Sequence, residues 1–125
     1  MKKLLITSLI LFAAISSSFA YNNIESISLS GPGSDTRTVS IYSTSEIYYF
    51  CFWYPSFNNY GNGESYIYDN EAMNYIDQWV FNGTPQDPSD GGAFSHDATY
   101  SGYFNSISLY YYAGQNTSGA AGIRW

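Results

Sequence analysis

Positive charge is scarce in this chain of 125 residues, which sets four Lys and Arg against ten Asp and Glu for a formal net of −6. Lys2 and Lys3 stand at the very start, so from residue 21 onward only Arg37 and Arg124 face all ten acids. Two arginines cannot neutralise a phosphate backbone, which excludes a nucleic-acid binder. Cysteine is reduced to Cys51, so no disulfide can form within the chain. Histidine is reduced to His96, which excludes zinc sites built on several histidines. Beyond residue 20 no apolar run is long enough to cross a bilayer. The length holds one domain.

The first 20 residues read as a secretory signal peptide. Met1-Lys2-Lys3 is a short basic start, Leu4 to Ile15 is an apolar run interrupted by Thr7 and Ser8, and Ser18 and Ala20 are small residues before a cleavage point. An uncleaved membrane anchor is the competing reading. No cysteine stands at the cleavage point to carry a lipid. Removal leaves residues 21–125 as a single secreted β domain, extracellular or periplasmic, with a net charge of 2 − 10 = −8.

Turn residues divide that domain. Gly31 to Ser34, Asn58 to Gly63, Thr84 to Gly92 and Gly114 to Gly122 are the breaks. Between them lie strand-like runs: Ile24–Leu29, Thr38–Tyr42, Ile47–Tyr54, Tyr66–Tyr68 and Ser106–Tyr112. One segment has helical spacing, with Ala72, Tyr75, Ile76 and Trp79 on one side and Asp69 or Asn70 placed to cap. A short helix is therefore expected over about 70–81; the competing reading makes Asn82-Gly83 a hairpin turn. The fold class that follows is mainly β, a single antiparallel β-sandwich or small barrel with one short helix.

What the domain has in excess is aromatic rings. Residues 21–125 hold 14 Tyr, six Phe and three Trp against 12 Ile, Leu and Val. A domain this small needs the area that rings bury. Yet each buried tyrosine needs a partner for its hydroxyl, so many are expected at the surface. As a strand, Ile47 to Tyr54 puts Ile47, Tyr49, Cys51 and Trp53 on one face and Tyr48, Phe50, Phe52 and Tyr54 on the other. Of Tyr110-Tyr111-Tyr112, at least one ring must point outward. The densest mixture of rings, amides and glycines runs from Trp53 to Gly63. Trp53, Tyr54, Phe57, Asn58, Asn59 and Tyr60 are the expected ligand-binding residues, because rings supply flat apolar faces and amides supply donors and acceptors.

Catalytic chemistry has little support. Ser95-His96-Asp97 holds the residue types of a hydrolytic triad, but neighbours on a chain point apart rather than converge. Asp87-Pro88-Ser89-Asp90-Gly91-Gly92 offers oxygen ligands on a flexible turn, so Asp87 and Asp90 are weak candidates for calcium, the only cofactor expected. Cys51, among aromatics, reads as a buried apolar residue, or else as the source of an intermolecular disulfide. Asn82-Gly83-Thr84 and Asn116-Thr117-Ser118 match glycosylation sequons.

Short stretches resemble known families. Phe94 with Tyr100-Ser101-Gly102 resembles the aromatic turn of βγ-crystallin domains. Tyr112 to Asn116 with Ser118-Gly119-Ala120 looks like the last hairpin of aegerolysins. Pro55 to Asn62 with Met73 to Asn82 looks like the headgroup-binding region of actinoporins. These cover about ten to thirty residues each, imply different folds and assign no residue a role; the last implies lipid binding. The sequence thus predicts a non-catalytic recognition module for a cell-surface ligand, glycan first. A self-associating surface protein and a toxin-like binder of lipid headgroups are the alternatives.

Overall fold

Two strands are far longer than the rest, and they determine the architecture. The computed structural model describes residues 21–56, 59–84 and 94–125, with backbone alone for 42–45. Its strands are β1 (Ile24–Leu29), β2 (Gly33–Pro55), β3 (Gly61–Asp69), β4 (Asn74–Gly83), β5 (Phe94–Ala113) and β6 (Thr117–Arg124). All pairings are antiparallel, in the order β1-β6-β2-β5-β3-β4. β2 and β5 pair along nearly their whole length, from Gly33↔Ala113 to Trp53↔Phe94. Their register shifts between Ser40 and Thr44 and again between Thr44 and Glu46. Bulges of this kind bend a ribbon, and here the bend sends its two halves into different layers.

The front layer is β1, β6, residues 47–55 of β2 and residues 94–101 of β5. The back layer is residues 33–40 of β2, residues 106–113 of β5, β3 and β4. β1 and β4 end the order unpaired with each other, so the sheet is a folded sandwich and not a closed barrel.

Alternation builds the core. Ile47, Tyr49, Cys51 and Trp53 of the front layer are fully buried, as are Ile67, Ile107, Leu109 and Tyr111 of the back layer. Trp53 lies between the rings of Phe81 and Tyr111, each with its centroid 5.6 Å away. The indole N–H donates to the Tyr112 carbonyl at 3.0 Å. The Tyr49 hydroxyl donates to Ser65 Oγ at 2.7 Å, and Ser65 donates on to the Tyr110 carbonyl at 2.8 Å. Tyr111 donates to the Phe52 carbonyl at 2.8 Å. Among the described residues no buried side-chain polar atom lacks a partner. Tyr49 and Tyr111 are the fully buried tyrosines, and the other tyrosines with described side chains are half-buried or exposed.

Two expectations are corrected. The helix over 70–81 is absent: residues 74–83 form β4, paired with β3 from Gly61↔Gly83 to Asp69↔Asn74. The residue read as a cap does accept backbone N–H groups. Asp69 Oδ1 bonds the N–H of Glu71 and of Ala72, both at 3.0 Å, and Met73 turns left-handed at φ 58°. The cap therefore closes a tight turn, and pairing with β3 overrides the helical spacing for β-favouring Tyr75, Ile76, Trp79, Val80 and Phe81. Second, Gly114 to Gly122 is not all turn. The turn ends at Asn116, left-handed at φ 57°, and Thr117–Arg124 is strand β6. Its small residues let rings from β2 lie across it. A Cβ at Gly122 would stand 2.7 Å from Phe50 Cε1.

Candidate functional site

The outer face of the front layer carries a row of four rings. Tyr48, Phe50, Phe52 and Tyr54 alternate with the core residues of β2 and point away from them. β6 lies on one side of the row, with Arg124 opposite Tyr48, Gly122 opposite Phe50 and Ala120 opposite Phe52. β5 lies on the other, with Asp97 opposite Phe50 and Ser95 opposite Phe52. Because β6 is nearly bare of side chains there, Phe50 lies over Gly122. A groove of about 350 Å³ lies between Tyr48, Phe50, Phe52, Ser95, Asp97 and Arg124.

Three groups give this groove its polarity. The Tyr48 hydroxyl donates to Asp97 Oδ2 at 3.2 Å. Burial, reinforced by the Asp97 charge, raises the Tyr48 pKa, so it remains a neutral donor. The Arg124 guanidinium lies over the Phe50 ring, 5.8 Å from its centroid. The groove thus combines a carboxylate acceptor, a guanidinium donor and ring faces. A ligand with several hydroxyls and an apolar C–H face matches that set.

The far end of the row meets the region expected to bind. Tyr54 is 45% exposed and packs edge-on to Phe52, with centroids 5.1 Å apart. It lines a second depression of about 310 Å³ with Pro32, Ser56 and Ser118. Tyr60 is 60% exposed. Its neighbour Gly61 abuts Pro55 and Thr117, which places Tyr60 at the same end of the sandwich. The Asn59 N–H donates to the Ser56 carbonyl at 2.9 Å. Trp53 is elsewhere. Fully buried in the core, its ring offers no face to a ligand. Phe57 and Asn58 lie outside the described residues, as do the calcium candidates Asp87 and Asp90 and residues 1–20, the expected signal peptide.

Asp97 and Arg124 are not among the binding residues expected from the sequence, since each reaches the row through pairing with a strand distant in the chain. The face of Tyr48, Phe50, Phe52 and Tyr54 was visible as alternation. What no local pattern showed is that β6 is small enough to leave this face open.

A second polar cluster sits where β4, the edge of the back layer, faces residues 94–101, the edge of the front layer. Asp77 Oδ2 accepts from Tyr100 and pairs with His96 Nε2 at 2.7 Å. Trp79 stacks on the His96 ring at 4.4 Å, nearly parallel. Burial opposes the charge on Asp77. The bonds from Tyr100 and His96 and the Gln78 N–H outweigh it, so the Asp77 pKa is lowered. Ser95 and Asp97 point to the opposite face from His96, so the tripeptide does not converge. Among the described residues no hydroxyl or thiol is hydrogen-bonded to the His96 ring, whose partner is Asp77. The Cys51 thiol is 1% exposed and burial pushes its pKa up to about 11, which leaves it unsuited to attack. The cluster joins the two layers side chain to side chain.

The back layer also shows rings outward. Tyr66 stacks on Tyr110 at 4.7 Å, and Tyr75 stands nearly perpendicular to Tyr66 and Tyr68. Among the described residues no group of three or more His, Cys, Asp or Glu is placed to hold a metal. No helix among them is long and apolar enough to cross a membrane.

No family model and no curated protein matches the chain. Solved structures of similar shape exist. One, described as "CBM4 structure and function", is 11% identical with a TM-score of 0.43, over 82% of this chain and 67% of that one. The pre-peptidase C-terminal domain of collagenase from Bacillus anthracis is 18% identical with a TM-score of 0.46, over 82% and 87%. A carbohydrate-binding module from Cellvibrio mixtus lichenase 5A, in complex with cellotriose, is 11% identical with a TM-score of 0.44, over 84% and 88%. Other similar structures are much longer, and this chain spans 12% and 14% of two of them. At these values the likeness is one of general β-sandwich shape and assigns no ligand.

Proposed function

We propose that this chain is a secreted, non-catalytic recognition module that binds a saccharide in the groove of the front layer. The observation that carries this reading is the outward ring row Tyr48-Phe50-Phe52-Tyr54, with Asp97 and Arg124 at its borders. Sugar rings present C–H faces that lie flat on aromatics, and vicinal hydroxyls that donate to a carboxylate and accept from a guanidinium. Tyr54, Asn59 and Tyr60 extend the surface at the far end for a longer chain of sugars. Residues 1–20 deliver the domain out of the cytoplasm as a cleaved leader.

The test is a glycan array followed by calorimetric titration of the best ligand. Phe50→Ala and Tyr54→Ala should each weaken binding by about tenfold, because each removes a stacking face worth roughly 1 kcal/mol or more. Unchanged affinity in both variants, or no saccharide bound at all, rejects this reading.

A further inference from the structure

The ligand class follows from the electrostatic state of the two arginines. Arg37 is paired: its Nη2 lies 3.0 Å from Asp35 Oδ2, and both side chains are well exposed. Arg124 is half-buried, and among the described residues no carboxylate forms an ion pair with it. In a chain with ten acids and four bases, a cation without an acid beside it goes against what the field of the whole protein favours. Asp97 lies across the groove, but Tyr48 donates to it and stands between the two strands. The guanidinium is instead held over Phe50, at the border of the groove.

Resting on the saccharide reading above, we infer that the groove takes an acidic sugar, a hexuronate or similarly carboxylated residue, with its carboxylate on Arg124 and its hydroxyls on Asp97. A guanidinium fork matches a planar carboxylate with two parallel N–H bonds. The ring of Phe50 supplies the apolar floor between the two polar borders. Asp97 fixes the orientation, because it repels an anion at its own border and accepts hydroxyl donors there. It also disfavours densely sulfated chains, as does the surplus of acids over the whole molecule. One negative group per sugar, carried at one end, fits this arrangement.

The experiment compares one oligosaccharide in three forms: uronate-bearing, carboxyl-reduced and sulfated. Each is titrated against the full domain. The uronate form should bind about tenfold or more tighter than the reduced form, since a hydrogen bond to a charged group is worth more than a neutral one. That preference should shrink as salt rises. In Arg124→Gln the two forms should bind alike, the uronate form losing far more affinity than the reduced form because it gives up a charge-assisted fork and the reduced form only a neutral hydrogen bond, and Arg124→Lys should keep part of the preference. Equal binding of uronate and reduced forms to the unaltered protein overturns the inference and leaves the saccharide reading standing. So does preference for the sulfated form, or a uronate preference that survives Arg124→Gln. Binding of none of the three overturns both. The comparison between ligands needs no variant, so a failure of Arg124→Gln to fold leaves it decisive.

Discussion

Replacing Gly122 by alanine alters the groove from beneath, without changing the identity of any residue placed to bind. A Cβ there would stand 2.7 Å from Phe50 Cε1 and 3.1 Å from the Glu25 carbonyl oxygen. That oxygen is backbone of β1, held in register with β6, so the ring must yield. Phe50 Cζ would be closer still than Cε1, so restoring a carbon–carbon contact of about 3.5–4.0 Å moves the ring by more than ~1 Å. Away from β6, the direction open to it is toward Asp97 and into the groove. Overpacking costs about 1–3 kcal/mol in a tight core, and a half-exposed ring that also loosens its hold on Arg124 belongs near the lower end, about 1–2 kcal/mol. In urea the midpoint should fall by roughly 1 M. Saccharide affinity should fall together with it, measured on the fraction that remains folded. Phe50→Leu added to Gly122→Ala should recover stability but not binding. An unchanged urea midpoint with unchanged affinity in Gly122→Ala would refute the seating of Phe50 on Gly122.

Other outcomes can be checked alongside. Asp77→Ala should destabilise by about 1.5–3 kcal/mol, since His96 and Tyr100 lose a charged acceptor; an exposed, dispensable pair would cost under about 1 kcal/mol in the same melt. Because the native Asp77 pKa lies below its ordinary 3.8, the stability it contributes is full above that value and is lost as pH falls through the lowered one. Asp77→Asn should therefore flatten the acid limb of a pH–stability curve, and a limb of unaltered slope would count against the cluster. Gly63→Ala would set a Cβ 2.8 Å from Trp53 Cε2, and closer still to Nε1, in a ring packed on both faces; a loss of about 2–5 kcal/mol is expected, and a stable variant would contradict the Trp53 packing. Cys51 should resist thiol reagents in the folded protein and react once urea unfolds it; rapid native labelling would contradict its burial.

β1 and the front-layer part of β2 were legible because period-two alternation is a local signal. Ile24–Leu29 is β1 as read, and Ile47 to Tyr54 splits into the two faces that its parity implies. Tyr111 is buried while Tyr110 and Tyr112 look outward, as three consecutive rings on a strand must. The failures come from residues whose meaning is set by partners. Asp69 looks like a helix cap because capping a helix and closing a turn use the same side-chain bond. Gly119 to Gly122 look like loop, although as neighbours of large rings they are what lets β6 pair at all. The site suffered for the same reason. Trp53 and Tyr54 are adjacent in sequence and lie on opposite faces, whereas Asp97 and Arg124 flank one row only through β5 and β6. Asp77 meets His96 across the two layers, a pairing no spacing rule encodes.

The bent ribbon of β2 and β5 has a mechanical consequence. Each of these strands contributes backbone to both layers, so neither layer can open while the other stays intact. Amide exchange should then report one cooperative unit, with the protons of Val39 and Tyr49 released in the same global event instead of layer by layer. The partners joined by this ribbon are 41 residues apart at Trp53↔Phe94 and 80 apart at Gly33↔Ala113. Closure over such distances belongs to slow-folding topologies, on the millisecond-to-second scale. A molecule seated along Tyr48 to Tyr54 would thus clamp the strand that also supports the opposite side of the sandwich, and so retard the opening of the entire domain.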